Sequence, residues 1–283
     1  MSCPDCFTGH VHDGTPKGNV TTLHGLDVYV SEPSIPAEQV RGIVVIIPDA
    51  FGWEFVNNRL LADNYAAKGG FRVYLPDFMK GTAAPVWAID SVRAVMRTAS
   101  LYDWLVKPYH IASAATALVP FILTNRPAKS YPIVSAFFEA LRKSPEGSNL
   151  PVGAAGFCWG GKHTLLLARG DSITVNGAKK ALIDAGFTGH PSLLEIPGDI
   201  EQTTLPVSYA LGDLDNNLKG KQIEALQRVV EGKEDDEVKV YVGAGHGFCV
   251  RADTNAEESG RQAVEAEDQA VEFFRKWFDR ASS

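Results

Sequence analysis

The sequence has no block of basic residues and no excess of positive charge. Its 283 residues include 27 Lys and Arg against 34 Asp and Glu, a formal net charge of −7. Nucleic acids and anionic membrane surfaces attract clustered Lys and Arg, so neither is expected as a partner. No apolar run approaches the length of a transmembrane helix, and the first residues do not have the pattern of a signal peptide. We therefore expect a cytoplasmic protein that does not bind membranes.

Cysteine is also scarce. The four cysteines, Cys3, Cys6, Cys158 and Cys249, are too few and too unevenly placed for a disulfide framework. A reducing compartment would keep Cys158 as a free thiol. With 45% hydrophobic residues the chain can bury a large core as one α/β domain, and no repeat or linker marks a second domain.

The first 18 residues are polar and predict an N-terminal arm, ahead of a single domain over residues 19–283. Within the N-terminal arm, Cys3, Cys6, His10 and His12 have a spacing that resembles a set of zinc ligands. A short terminal cluster without a surrounding core would be an unusual structural metal site. A flexible or packed-down arm is the favoured interpretation, and no metal site is predicted.

Short apolar runs alternate with segments of helical periodicity along the domain. This pattern predicts an α/β fold with a mostly parallel central sheet, helices on both faces and an N-terminal antiparallel hairpin. The expected strands are 20–23 and 26–30 in the hairpin, then 42–47, 71–75, 151–155, 181–187, 206–211 and 238–242. The expected helices are 57–68, 132–143, 162–169, 219–230 and 257–278.

Residues 80–130 contain many large aromatic groups, and Pro108, Pro120 and Pro127 are expected to break their helical stretches. A helical insertion over the carboxyl end of the sheet would explain the aromatic residues. A longer crossover that packs into the core would explain them as well, since most aromatic side chains are core residues. Both interpretations remain open.

The segment Gly156-Phe157-Cys158-Trp159-Gly160-Gly161 lies where a small-residue strand meets a helical run. Gly-x-Cys-x-Gly at such a turn is the cysteine version of a nucleophile elbow, in which glycines allow close backbone approach around a strained residue. The helix N-terminus behind the cysteine favours a thiolate. A buried structural cysteine is the alternative, because free cysteines are often core residues.

Polar groups follow the carboxyl ends of three predicted strands. They are Cys158, then Asp213 or Asp215, then His246, and this order of nucleophile, acid and histidine is typical of α/β-hydrolases. An imidazole can take the proton of the thiol, and a carboxylate on its other nitrogen orients the ring. Asp215 lies further past the strand and is the favoured acid, whereas Asp213 is placed to cap the turn.

Hydrolysis also requires donors for the oxyanion. The backbone N–H of Trp159 is the first candidate, and the loop Asp49-Ala50-Phe51-Gly52 stands where the second is expected. His190 follows a strand and is a candidate for lining the pocket. His163 lies on the elbow helix and is expected to be a packing residue.

With these residues the chain resembles the dienelactone hydrolase (carboxymethylenebutenolidase) family over roughly residues 20–280. The N-terminal Cys and His residues resemble its fungal branch. The motifs that carry the resemblance are Pro48-Asp49-Ala50-Phe51-Gly52, Pro76-Asp77-Phe78, Gly156-Phe157-Cys158-Trp159-Gly160-Gly161, Gly212-x2-Asp215 and Gly245-His246-Gly247-Phe248.

The resemblance implies an α/β-hydrolase fold, no cofactor and a possible homodimer. It implies a Cys158-Asp215-His246 triad and oxyanion donors at Trp159 and Ala50. Bacterial members place an acidic residue near the resting thiol, a position that Asp49 occupies here. They bind a substrate carboxylate with two arginines, whereas this sequence has Lys80 near the first position and Arg251 beyond the spacing of the second. Other candidates for substrate contact are Phe51, Trp87 and His190.

The sequence therefore predicts a hydrolase that opens a small lactone or cleaves a carboxylic ester through an acyl-thioester intermediate. Two alternatives remain. One is a non-catalytic relative that binds a ligand in the same pocket, and the other is a thiol-dependent redox or acyl-transfer enzyme.

Overall fold

The computed structural model describes residues 4–97 and 100–282, so Cys3 lies outside the described residues. Its centre is an eight-stranded sheet with the order β1-β2-β4-β3-β5-β8-β9-β10, and β6 and β7 form a separate antiparallel pair. The strands are β1 (Asn19–Leu23), β2 (Leu26–Ser31), β3 (Ile43–Ile47), β4 (Arg72–Pro76), β5 (Val152–Phe157), β6 (Ser172–Val175), β7 (Ala178–Ala181), β8 (Ala185–Gly189), β9 (Val207–Gly212) and β10 (Glu237–Tyr241).

The directions of the strands confirm the predicted α/β architecture. The hairpin β1–β2 is antiparallel and joins the sheet through an antiparallel pairing of β2 with β4. From β4 through β3, β5, β8 and β9 to β10 the pairings are parallel. Every residue of β3 is buried, which explains its unbroken apolar sequence. Because the strands are parallel, their carboxyl ends meet at one edge, and the polar loops predicted there converge.

The helices are α1 (Val56–Gly69), α2 (Ala88–Met96), α3 (Leu101–Thr124), α4 (Pro127–Lys143), α5 (Pro145–Asn149), α6 (Trp159–Leu167), α7 (Gly198–Glu201), α8 (Gly220–Glu231), α9 (Phe248–Arg251) and α10 (Glu257–Ala281). Short 3-10 turns occupy Pro4–Phe7 and Ala37–Gln39.

Helices cover both faces of the sheet, as two glycines of β5 show. A Cβ atom at Gly153 would collide with Phe274 of α10, whereas one at Gly156 would collide with Gly160 and Thr164 of α6. Since these positions are an odd number of residues apart, they point to opposite faces. Helix α1 packs with α10 on one face, and α4 packs with α6 on the other.

The predicted helix breaks at Pro108 and Pro120 are wrong, because α3 runs through both residues. Proline fixes φ near the helical value, so it removes one hydrogen bond without excluding a helix. The carbonyl of Pro120 accepts a hydrogen bond from the hydroxyl of Thr124. Pro127 begins α4 at a position where its missing N–H costs nothing, so α4 starts earlier than predicted.

Helix α3 lies mostly at the surface. Phe121 is buried near its carboxyl end, but Tyr102, Trp104, Leu105 and Tyr109 are exposed. By length and composition alone, the stretch Tyr102–Thr124 is apolar enough to cross a membrane, which the sequence pattern did not indicate. The alternative of a buried crossover is therefore wrong for the first turns of α3.

The predicted strand over 181–187 is also displaced. Residues 178–181 instead form β7, which pairs with β6 around the Asn176-Gly177 turn, and the sheet strand β8 begins at Ala185. Between them the Asp184 carboxylate accepts hydrogen bonds from Arg142 at 2.6 Å and from the Val152 N–H at 2.7 Å. An Asn-Gly pair is a strong hairpin signal that the sequence reading did not use.

Candidate active site

Cys158 lies at the turn between β5 and α6 with φ 51° and ψ −111°, a conformation that few side chains tolerate. The glycines around it have a steric role. A Cβ atom at Gly156 would collide with the backbone of Gly160, and one at Gly160 would collide with the carbonyl of Ile47. The elbow therefore depends on close packing of β3, β5 and α6. Cys158 itself is 1% exposed.

Asp215 and His246 meet at the same edge of the sheet, past β9 and β10. Oδ2 of Asp215 lies 2.7 Å from Nδ1 of His246, and both side chains are buried. Asp213 is instead exposed and accepts a hydrogen bond from the N–H of Gly243 at 2.7 Å. Asp215, and not Asp213, is therefore the carboxylate that contacts the imidazole.

The thiol and the imidazole do not form a direct hydrogen bond. The Cys158 thiol lies 3.3 Å from the hydroxyl of Ser192, and Nε2 of His246 is buried without a hydrogen-bond partner among the described residues. The Cys6 thiol lies beside both groups. The two sulfur atoms and a ring nitrogen of His246 all lie within 4.8 Å of one another. Two thiols and one imidazole are thus gathered where the sequence predicted one of each.

Ser192 and Asn217 complete this cluster, and the sequence reading missed both. The hydroxyl of Ser192 also lies 3.4 Å from the Cys6 thiol, so it contacts both sulfur atoms. The side-chain amide of Asn217 lies 3.0 Å from Nδ1 of His246 and donates to the Cys6 thiol at 3.6 Å. Ser192 and Asn217 each follow a predicted site residue, His190 and Asp215, by two positions, and this proximity could have identified them from the sequence.

The pKa values of the thiol and the imidazole shift in opposite directions. Burial lowers the pKa of His246, but Cys6 and Asp215 outweigh it and raise the pKa to about 9. Burial raises the pKa of the Cys158 thiol, but the hydrogen bond from Cys6 and the positive charge of Arg251 outweigh it, so the pKa is lowered. Both shifts favour a thiolate beside an imidazolium.

A buried ion pair lies next to Cys158. Arg251 donates to the Asp49 carboxylate with both side chains fully buried, and its guanidinium stacks 5.4 Å from the centre of the Phe51 ring. Asp49 also accepts hydrogen bonds from the Phe51 N–H and from Asn58 at 3.1 Å. The charge of Arg251 is therefore already matched inside the protein.

The two predicted oxyanion donors are the backbone N–H groups of Ala50 and Trp159. Neither donates a hydrogen bond to any residue that the structure describes. The indole N–H of Trp159 donates to the carbonyl of Asn125 at 2.6 Å, which fixes the first residue of α6 against the start of α4.

The other predicted histidines differ in environment. His190 is fully buried, and its ring lies edge-on to that of His246 at 5.0 Å. Neither of its nitrogens has a partner among the described residues. Burial and the charges of His246 and Arg251 hold the pKa of His190 well below its usual value, so the ring is neutral. His163 is a buried packing residue bonded to Ser130 and to the Trp159 carbonyl.

Two candidates for substrate contact lie at the surface. Lys80 is exposed, and Trp87 is 51% exposed at the start of α2. Within residues 4–97 and 100–282, neither forms a hydrogen bond, an ion pair or a ring contact with the predicted triad. Among the other candidates, Arg251 and Asp49 lie near enough to Cys158 to affect its pKa, whereas Phe51 packs on Arg251 and His190 packs on His246.

The N-terminal arm packs over this edge of the sheet. Phe7 is 2% exposed and contacts the ring of Phe121 at 5.7 Å and that of Phe51 at 6.4 Å. Arg251 donates to the carbonyl of Thr8 at 2.7 Å, and the N–H of His10 donates to the carbonyl of Arg251 at 3.1 Å. The arm therefore takes the packed-down form of the two that the sequence allowed.

The described members of the zinc-like spacing, Cys6, His10 and His12, do not lie together. Cys6 faces the cluster at Cys158, whereas His12 contacts the carbonyl of Ala252 at 2.9 Å and His10 lies 3.8 Å from Asp253. Thiols and imidazole suit Zn²⁺, so Cys6, Cys158 and His246 are the described residues that could hold a metal ion.

Comparisons with known proteins identify a family and a shared fold. A model described as "Dienelactone hydrolase family" matches residues 26–281. The chain is 27% identical over 278 residues to "Hydrolase tropI" of Talaromyces stipitatus, covering 98% of this chain and 96% of that protein. It is 22% identical to "Carboxymethylenebutenolidase homolog" of Xenopus tropicalis, covering 98% and 97%. The crystal structure of a dienelactone hydrolase from Anabaena variabilis shares the fold, with a TM-score of 0.57, 15% identity and coverage of 94% and 99%.

Proposed function

The chain belongs to the dienelactone hydrolase family and is a hydrolase of esters or lactones, and on this premise we propose that the Cys158 thiolate is its nucleophile. The substrate is a small lactone or carboxylic ester. One observation carries the proposal: Cys158, His246 and Asp215 converge from three strand ends, and the Asp215–His246 bond is 2.7 Å long.

The first half-reaction opens the ester bond. His246 holds the proton that leaves the thiol, and the Cys158 thiolate attacks the carbonyl carbon. The N–H groups of Ala50 and Trp159 stabilise the oxyanion that forms. When the tetrahedral intermediate collapses, the leaving alkoxide takes the proton from His246. The acyl group remains on Cys158 as a thioester.

The second half-reaction releases the acid. His246, now neutral, takes a proton from water as the water oxygen attacks the thioester carbonyl. The intermediate collapses with loss of the Cys158 thiolate, and the imidazolium is restored. Asp215 accepts the hydrogen bond from Nδ1 throughout, which orients the ring and stabilises its charged form. The raised pKa of His246 favours its imidazolium form and the lowered pKa of Cys158 favours its thiolate form, and the neighbouring Cys6 contributes to both shifts.

The test compares Cys158→Ala with Cys249→Ala on p-nitrophenyl acetate. Cys249 is a suitable control because it is also a buried thiol near His246 in sequence, but burial raises its pKa well above the usual value. We expect Cys158→Ala to remove burst and steady-state hydrolysis with an unchanged circular dichroism spectrum, and Cys249→Ala to retain both. Unchanged turnover in a folded Cys158→Ala variant would exclude the thiol mechanism.

A further inference from the structure

Cys6 carries out no step of the hydrolysis just described, although it contributes to the pKa shifts of Cys158 and His246. Its side chain is 1% exposed, although it lies on a short 3-10 turn outside the central sheet. The Cys6 thiol contacts the hydroxyl of Ser192 at 3.4 Å, and the Cys158 thiol contacts the same hydroxyl at 3.3 Å. The two sulfur atoms lie within 4.8 Å of each other.

A disulfide between Cys6 and Cys158 requires an S–S distance of about 2.05 Å, so one sulfur must move toward the other. Cys158 is fixed by the elbow between β5 and α6, whereas Cys6 lies on a short 3-10 turn, Pro4–Phe7. Cys6 is therefore the partner that moves.

We infer that Cys6 and Cys158 form a reversible disulfide when a peroxide oxidises the protein. The inference rests on the proposed reactivity of Cys158. The Cys158 thiolate attacks one peroxide oxygen and the O–O bond breaks. The departing hydroxide takes the proton of the His246 imidazolium and leaves as water, and Cys158 becomes a sulfenic acid. The Cys6 thiol then attacks that sulfur, expels its hydroxyl as a second water and forms the S–S bond. The two thiols are oxidised by two electrons, and hydrogen peroxide is reduced.

The N-terminal arm determines when each step occurs. With the arm closed, Cys158 is buried and peroxide has poor access. When the terminus opens locally, Cys158 becomes accessible, and reclosure delivers Cys6 to the sulfenic acid before a second peroxide can react. The disulfide ties the N-terminal arm over the site and blocks the nucleophile. A thiol reductant restores both groups.

The test uses the full-length chain, hydrogen peroxide in the presence of EDTA, and three variants. We expect the wild type to lose two of its four thiols and two hydrogen atoms in intact mass, and digestion to link the peptides of Cys6 and Cys158. The same losses are expected for Cys3→Ala and Cys249→Ala. Dithiothreitol should return hydrolysis to its starting rate in all three proteins.

Cys6→Ala should behave differently. Without a resolving thiol, its Cys158 peptide should gain two or three oxygen atoms, and dithiothreitol should not restore hydrolysis. A Cys3–Cys158 link, or sulfinic acid on Cys158 in the wild type, would overturn the inference. Thiol counts and masses do not depend on turnover. A disulfide in a protein whose Cys158→Ala variant still hydrolyses esters would refute the proposed function alone.

Discussion

Phe7 offers a direct measure of how firmly the N-terminal arm covers Cys158. Its ring is 2% exposed between Phe121 and Phe51, on the segment that carries Cys6. Phe7→Ala removes this anchor and leaves the hydrogen bonds of the arm backbone in place. The variant is therefore expected to open locally more often, without unfolding the domain.

The increase in local opening can be worked out from the burial of the Phe7 side chain. Replacing a buried Phe by Ala costs about 3–5 kcal/mol, and the lower value applies here because water can fill the space near a terminus. A loss of about 3 kcal/mol raises the equilibrium constant for opening about 100-fold, since each 1.36 kcal/mol is a factor of ten. Where closing is faster than alkylation, the alkylation rate of Cys158 rises by the same factor.

The assay follows alkylation of Cys158 by iodoacetamide at pH 7, with peptide mapping to separate it from Cys6. The matched control is Val11→Ala, because Val11 belongs to the same arm but is 51% exposed. The control should alkylate at the wild-type rate. If Phe7→Ala alkylates no faster than Val11→Ala, while amide exchange shows that the arm has loosened, the arm does not limit access to the thiol.

Two further predictions concern the elbow and the histidine. Gly160→Ala should prevent folding of the elbow and abolish hydrolysis, because the new Cβ would collide with the Ile47 carbonyl. The control is Gly220→Ala, whose Cβ meets no atom within 4 Å, and it should retain the melting temperature and activity of the wild type. The pKa of His246 is raised to about 9 in the folded state, so its protonation stabilises the folded protein. This contribution is complete below about pH 6.5 and is lost as the pH rises through 9. Between pH 6.5 and 9, the free energy of unfolding should therefore fall by up to about 3 kcal/mol more in the wild type than in His246→Gln. Urea denaturation at several pH values measures this difference. An equal fall of the free energy with pH in the two proteins would contradict the raised pKa.

The sheet and the order of its polar loops could be predicted because both depend on local sequence. The buried run of β3 and the glycines around Cys158 each have one structural explanation. His246 and Asp215 follow strands, and parallel strands bring their carboxyl ends together whatever the details of packing. Helix boundaries were less accurate where proline was taken as a helix break, because the exposed Pro108 and Pro120 have a φ compatible with α3 and remain within it.

The contribution of the N-terminal arm could not be predicted for a physical reason. Cys6 is separated from Ser192 by 186 residues, and no periodicity relates a terminal segment to the loop it covers. Its spacing to His10 and His12 suggested a local cluster, but the fold places those histidines against Ala252 and Asp253. A pattern of possible ligands in sequence is weak evidence when no regular element holds its members on one face.

The backbone conformation of Cys158 affects how this enzyme can be engineered for stability. Its backbone, at φ 51° and ψ −111°, suits a residue without a Cβ atom better than cysteine. A directed-evolution campaign that rewarded heat resistance alone would drift toward glycine at this codon. The selected variants would be stable but inactive, because glycine has no thiol to act as the nucleophile. A screen for heat resistance therefore needs turnover as a second criterion.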